Sequence, residues 1–185
     1  MNDSASGPGP VAPTIRRDGT VLGFDVGSRR IGVAVGSAFG HGARALAVVD
    51  VHGHGPDWTA LDRLRKEWLP DGLVVGDPLT LDGGNQPARE RAHAFGRELH
   101  ARYKLPVVLV DERSSSMEAA RRFASDRAQG RKRRRDAETL DAVAAAVIIE
   151  RWLAAPDDAV DVNLASMEAA APGRIPTPGE PGRTD

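Results

Sequence analysis

The residue pattern predicts an α/β domain with a mixed central sheet flanked by helices, and three observations carry that prediction. Three short apolar runs, Val21–Val26, Ile31–Gly36 and Ala45–Val51, follow one another with no helical period between them. Beyond them, segments of helical period alternate with short apolar runs as far as Val107–Asp111. Two further helical segments then close the patterned region at Leu153.

The first two runs are separated by Gly-Ser-Arg-Arg, which predicts an antiparallel hairpin with Gly27 supplying a backbone shape that other residues resist. Ala45–Val51 is the third strand. Trp58, Leu61, Leu64, Trp68 and Leu69 recur at the period of an amphipathic helix, expected over Trp58–Leu69. Leu73–Gly76 reads as a buried strand, Pro87–Tyr103 as a second helix and Val107–Asp111 as another buried strand. Ser115 with Glu118 three residues on has the form of a capping box, starting a helix towards Ala128. Asp136 caps a last helix through Leu153.

Both ends differ in composition. Residues 1–20 are rich in Gly, Pro, Ser and Ala, and residues 154–185 are again rich in Pro and Gly. Neither offers enough apolar surface to offset the entropy of ordering, so both are expected to be disordered tails around a domain at 21–153. The chain has no cysteine, which excludes disulfides, thiolate metal sites and a Cys nucleophile. No stretch approaches the roughly 20 apolar residues that span a bilayer, and the N-terminus lacks a signal-peptide pattern. A cytoplasmic protein without a membrane partner is expected. The formal net charge is −1, but residues 154–185 carry six acids and two arginines, which leaves +3 on the rest. The densest basic run is Arg131, Lys132, Arg133, Arg134 and Arg135, which points to an anionic partner if it is more than solvated surface.

Three carboxylates stand out. Asp25 ends an apolar strand, where burial is costly without a cation or partner; its ordinary alternative is a turn-capping Asp before Gly27. Glu112 follows a buried strand, with an ion pair to Arg113 as its alternative. Asp141 shares a helix face with Ala145, Ile148 and Trp152, and its alternative is a salt bridge to an arginine of Arg131–Arg135. In an α/β sheet, strand ends and a helix start can converge on one edge. Three gathered carboxylates repel one another, and divalent cations remove that penalty. All-oxygen ligation favours Mg²⁺ or Mn²⁺ over zinc, and the five histidines lack zinc-ligand spacing.

The same residues carry a family resemblance. The segment from Gly23 through Asp25, Gly27, Arg29, Arg30 and Gly32 to Ala34 resembles the opening motif of the YqgF family. These are RNase H-like proteins described as Holliday junction resolvases or nucleases maturing the 16S rRNA precursor. The likeness continues in Val75-Gly76-Asp77-Pro78-Leu79 with Asp82-Gly83, in Val110-Asp111-Glu112-Arg113 and in Asp141–Ala145, so that it covers Val21 to Leu153. It departs at Asp77, where the family usually has an uncharged residue, and at Ser114, where leucine is usual.

The resemblance implies an RNase H-like fold, with Asp25, Glu112 and Asp141 as catalytic acids holding two Mg²⁺ or Mn²⁺ ions. Phosphodiester hydrolysis would follow, one ion activating water and the other, about 4 Å away, stabilising the leaving 3′-oxygen. Asp25 would bridge both. Arg29, Arg30, Arg113 and the run Arg131–Arg135 would contact backbone phosphates, while Gly76, Pro78, Asp82 and Gly83 would line the substrate side. Structured RNA, the 16S rRNA precursor above all, and branched DNA are both open as substrates, and the oligomeric state is open too. Two rival classes remain: an actin-like ATPase, which needs a duplicated domain and a second glycine-rich phosphate segment that this chain lacks, and an RNA-binding module that does not cut.

Overall fold

The computed structural model describes residues 14–40, 42–79, 86–112 and 136–165. They form a seven-stranded mixed sheet: β1 (Thr20–Val26), β2 (Arg30–Ser37), β3 (Gly42–His52), β4 (Gly55–Pro56), β5 (Gly72–Asp77), β6 (Val107–Asp111) and β7 (Val160–Asp161). Three helices flank it, α1 (Trp58–Trp68), α2 (Gln86–Tyr103) and α3 (Asp136–Ala154). The strand order is β4-β3-β2-β1-β5-β6-β7. β1, β2 and β3 form an antiparallel meander, whereas β5 and β6 run parallel to β1. Three antiparallel strands followed by two parallel ones on the other side of β1 is the RNase H-like arrangement. The expected helix from Ser115 towards Ala128 lies outside the described residues.

Strand side chains alternate between the two faces, and each face has its own core. Leu22 and Phe24 of β1, Leu73 and Val75 of β5, and Val107 and Leu109 of β6 pack with Leu61 of α1 and with Ala92, Phe95 and Leu99 of α2. Val21, Val74 and Val110 point the other way, onto Ala145, Ile148, Ile149 and Trp152 of α3. β5 is buried at every position, as a parallel strand covered on both faces must be. The start of α1 is fixed by Asp57, whose carboxylate accepts the Ala60 N–H at 3.1 Å; its end is fixed by Leu69 in the left-handed region.

Two expectations change. The packed region extends past 21–153 on both sides. Ile15 is buried beneath Gly72, and residues 160–161 pair antiparallel with β6, followed by a fully buried Val162. Val160 and Val162 are isolated in a polar, alanine-rich stretch, so no period announces them. Gly27 is also needed for a different reason. Among the described residues only Gly42 and Gly55 are glycines with positive φ. The Gly27 N–H donates to the Arg30 carbonyl at 2.9 Å, and a Cβ at Gly27 would lie 2.6 Å from that oxygen. Close approach demands the glycine here, not dihedral freedom.

Candidate active site at the carboxyl edge of the parallel strands

Alternation assigns Asp25 and Glu112 to the face that α3 covers. Val21, Gly23 and Asp25 of β1 face α3, because a Cβ on Gly23 would strike the Ile149 side chain. On β6 the same face carries Val110 and, one step beyond the strand, Glu112. Parallel pairing brings the carboxyl ends of β1, β5 and β6 to a common edge, so Asp25 and Glu112 emerge together.

Two glycines let the remaining parts in. Gly32 is the register partner of Asp25, and a Cβ there would penetrate the backbone carbonyl of Asp141. The first turns of α3 therefore rest on bare backbone, which carries Asp141 over the β1–β2 edge towards Asp25. Gly76 does the same for Glu112: a Cβ there would strike Glu112 Oε2 and stand 2.6 Å from Ile148 Cδ1.

The electrostatics follow from that crowding. Burial, and then the Asp141 charge, pushes the Asp25 carboxyl up to about 6. Burial also dominates at Glu112, which is pushed up to about 8; the Asp25, Asp77 and Asp111 charges add to the push and Arg151 opposes it. Asp141 is held by the Arg30 guanidinium at 3.0 Å, both side chains remaining partly exposed. Asp141 is thus in a salt bridge with an arginine of β2, whereas the expected partners Arg131–Arg135 lie outside the described residues.

A donor set made only of carboxylate oxygens suits a hard divalent cation. As the side chains lie, however, no three acids or histidines among the described residues are gathered closely enough to enclose an ion. Arg30 occupies Asp141, and Asp25 and Glu112 have risen towards neutrality. The donor chemistry fits a cation whose binding would draw the side chains together.

Of the other expected site residues, Arg29 is exposed in the β1–β2 turn and its carbonyl accepts the Val51 N–H at 2.9 Å. Arg30 is committed to Asp141. Pro78 is partly buried just beyond β5. Asp82, Gly83, Arg113 and the run Arg131–Arg135 lie outside the described residues. Three participants escaped the sequence reading. Arg151 donates from Nη1 to the Asp111 carbonyl at 2.9 Å, tying α3 to the residue before Glu112. Arg89 and His93 close on the buried Asp77 from α2: Arg89 Nε lies 3.0 Å and His93 Nε2 3.1 Å from Asp77 Oδ1. Their i, i+4 spacing on a helix that follows a strand-end aspartate was the available signal.

Residues 19–155 match the family model described as "RuvX: Holliday junction resolvase". The chain belongs to the RuvX family. It is 75% identical over 153 residues to a relative from Xanthomonas euvesicatoria pv. vesicatoria (strain 85-10), covering 83% of this chain and 99% of that one. A relative from Xanthomonas axonopodis pv. citri (strain 306) is 77% identical over 150 residues, covering 81% and 97%. Both bear the description "Putative pre-16S rRNA nuclease". Among solved structures, Thermus thermophilus RuvC is similar at 17% identity and a TM-score of 0.48, covering 77% of this chain and 99% of that one. Within this RuvX-family chain, no helix among the described residues is long and apolar enough to cross a membrane.

Proposed function

We propose that this chain is a divalent-cation-dependent endonuclease that trims the 5′ side of the 16S rRNA precursor. The observation that carries the reading is the placement of Asp25, Glu112 and Asp141 at one sheet edge, where burial and mutual repulsion raise the carboxyls of Asp25 and Glu112. Near-full-length identity to relatives described as pre-16S rRNA nucleases supports the substrate.

In this reading Asp25, Glu112 and Asp141 hold the cation or cation pair. What Mg²⁺ or Mn²⁺ supplies when bound is a water acidic enough to attack phosphorus and a counter-charge for the departing 3′-oxygen. Asp25, within electrostatic reach of both Asp141 and Glu112, would be the central acid of the three. Arg30, paired with Asp141 at the rim, would be available to a phosphate oxygen if Asp141 ligated the cation. Arg29 in the adjacent turn extends that basic rim, and Arg113 with Arg131–Arg135 would continue it along the backbone. Gly76 and Pro78 would mark the substrate side, together with Asp82 and Gly83.

A second reading has its own support, since the matching family is described as a Holliday junction resolvase. The test is cleavage of end-labelled 16S precursor RNA and a four-way DNA junction, side by side, in Mn²⁺ or EDTA, by wild type and Asp25→Asn. Metal-dependent cutting of the RNA that disappears in the variant is the expected result. Cutting of the junction alone would select the second reading. RNA binding without cutting of either substrate would make the chain a binding module.

A further inference from the structure

Asp77 is the buried acid that the proposed reaction leaves unused. It ends β5 in register with Asp111 of β6, but strand alternation turns it onto the α2 face, away from Asp25 and Glu112. Its side chain is 8% exposed, and α2 meets it with a fork: Arg89 Nε at 3.0 Å from Oδ1 and Nη2 at 3.3 Å from Oδ2. His93 Nε2, one turn further along the helix, lies 3.1 Å from Oδ1. His93 Nε2 makes no hydrogen bond there, so the hold is the arginine's, and a buried carboxylate gripped by such a fork fixes the backbone that carries it.

That backbone is joined to the candidate site. The Asp77 carbonyl accepts the Glu112 N–H at 3.1 Å and the Leu79 N–H at 2.8 Å. The neighbouring Gly76 is the surface on which the Glu112 carboxyl rests. Whatever holds Asp77 still also sets where Glu112 leaves β6. A negative charge lies within electrostatic reach of Glu112, with its arginine counter-ion on the far side.

We propose that Asp77, clamped by Arg89, is a positioning residue that fixes Glu112 and raises the affinity of the acidic edge for a divalent cation from the opposite face of the sheet. The proposal rests on the reading of Asp25, Glu112 and Asp141 as a cation site. Removing the carboxylate charge loosens the β5 end and leaves the Arg89 guanidinium uncompensated, and both effects oppose cation binding. Partners standing behind metal ligands typically change metal affinity by about 10- to 100-fold when lost.

The experiment is calorimetric titration of Mn²⁺ into the full chain, paired with cleavage measured against Mn²⁺ concentration. Asp77→Asn should weaken Mn²⁺ binding about 10-fold and shift half-saturation of cleavage equally, with kcat at saturating Mn²⁺ within about threefold of wild type. Asp77→Asn with Arg89→Gln should regain about threefold of the affinity, because the stranded cation is gone. Arg89→Lys, which keeps the charge and loses the fork, should weaken binding about threefold even if Asp77→Asn fails to fold. Wild-type Mn²⁺ affinity in Asp77→Asn, or in Arg89→Lys where only the latter folds, would overturn the proposal and leave the cation site standing. Asp25→Asn binding Mn²⁺ as tightly as wild type would overturn the cation-site reading itself, and this proposal with it.

Discussion

In the absence of divalent cations the protein should become less stable as pH rises, and Glu112 is where to look. Its carboxyl is pushed from 4.5 to about 8 in the folded chain, chiefly by burial. Between those values the folded state holds a proton that the unfolded state has released. Stability of the cation-free protein is therefore full below about pH 4.5 and is lost progressively as pH climbs towards 8. Asp25, raised to about 6, adds to the loss with the same sign. At about pH 7.5 the span above 4.5, at about 1.4 kcal/mol per pH unit, sets a ceiling of about 4 kcal/mol for Glu112. Water reaching a carboxyl that is not fully enclosed cuts this to about 2 kcal/mol. Glu112→Gln keeps the shape and discards the titration. In EDTA at about pH 7.5 it should melt about 6 °C above wild type, at about 3 °C per kcal/mol for a domain of this size. Near pH 4.5, where the wild-type carboxyl is protonated too, the two should coincide. Adding Mn²⁺ should raise wild type far more than the variant. The reasoning fails if the gap between Glu112→Gln and wild type does not widen with pH, or if wild type in EDTA melts at the same temperature from pH 5 to pH 8.

Three other outcomes are expected. Gly32→Ala places a methyl group against the Asp141 carbonyl, so α3 must lift; a loss of about 3 kcal/mol and of nearly all cleavage is expected, read by thermal melting and by the RNA assay. Val162→Ala empties a fully buried position beyond the expected domain end and should cost about 2 kcal/mol in denaturant unfolding, whereas a true tail residue would cost nothing. RNA affinity should fall with a log–log salt slope of about −0.7 per phosphate contact, and Arg29→Ala should make that slope shallower by about one contact in filter binding at several salt concentrations.

The sheet was legible because its signals are periodic. Apolar runs two to a strand pair, a helical period over Trp58–Trp68 and the unbroken apolar stretch of α3 each report one face or one burial state, and periodicity records both. Asp25 and Asp141 stood out for a related reason, each being a charge in an otherwise apolar stretch, whereas Glu112, between Asp111 and Arg113, was singled out with them chiefly by the family resemblance. Residues 155–165 were not legible. Val162 fills a core position through one side chain, and a single buried valine in a polar stretch has no period. The Asp77 cluster was half legible. The aspartate stood out at its strand end, but its partners sit twelve and sixteen residues on, in a helix whose polar positions look alike until one face is known to meet β5.

Gly32 shows why composition alone understates the site. In the sequence it is one more glycine in a strand, a position that ordinarily weakens pairing. Its register partner is Asp25, and the helix backbone resting on it belongs to Asp141. A larger residue would strengthen the strand and hold the two carboxylates apart, so this glycine gives up strand stability to let repelling charges approach. Glu112 over Gly76 repeats the arrangement on the other side of Asp25. Two missing side chains beside two raised carboxyls are better explained by a site that tolerates repulsion until a cation arrives than by packing alone. If packing were the whole reason, adding Asp25→Asn to Gly32→Ala should recover no stability. The cation reading expects the asparagine to recover stability in EDTA, because the repulsion it relieves is present only when the cation is absent.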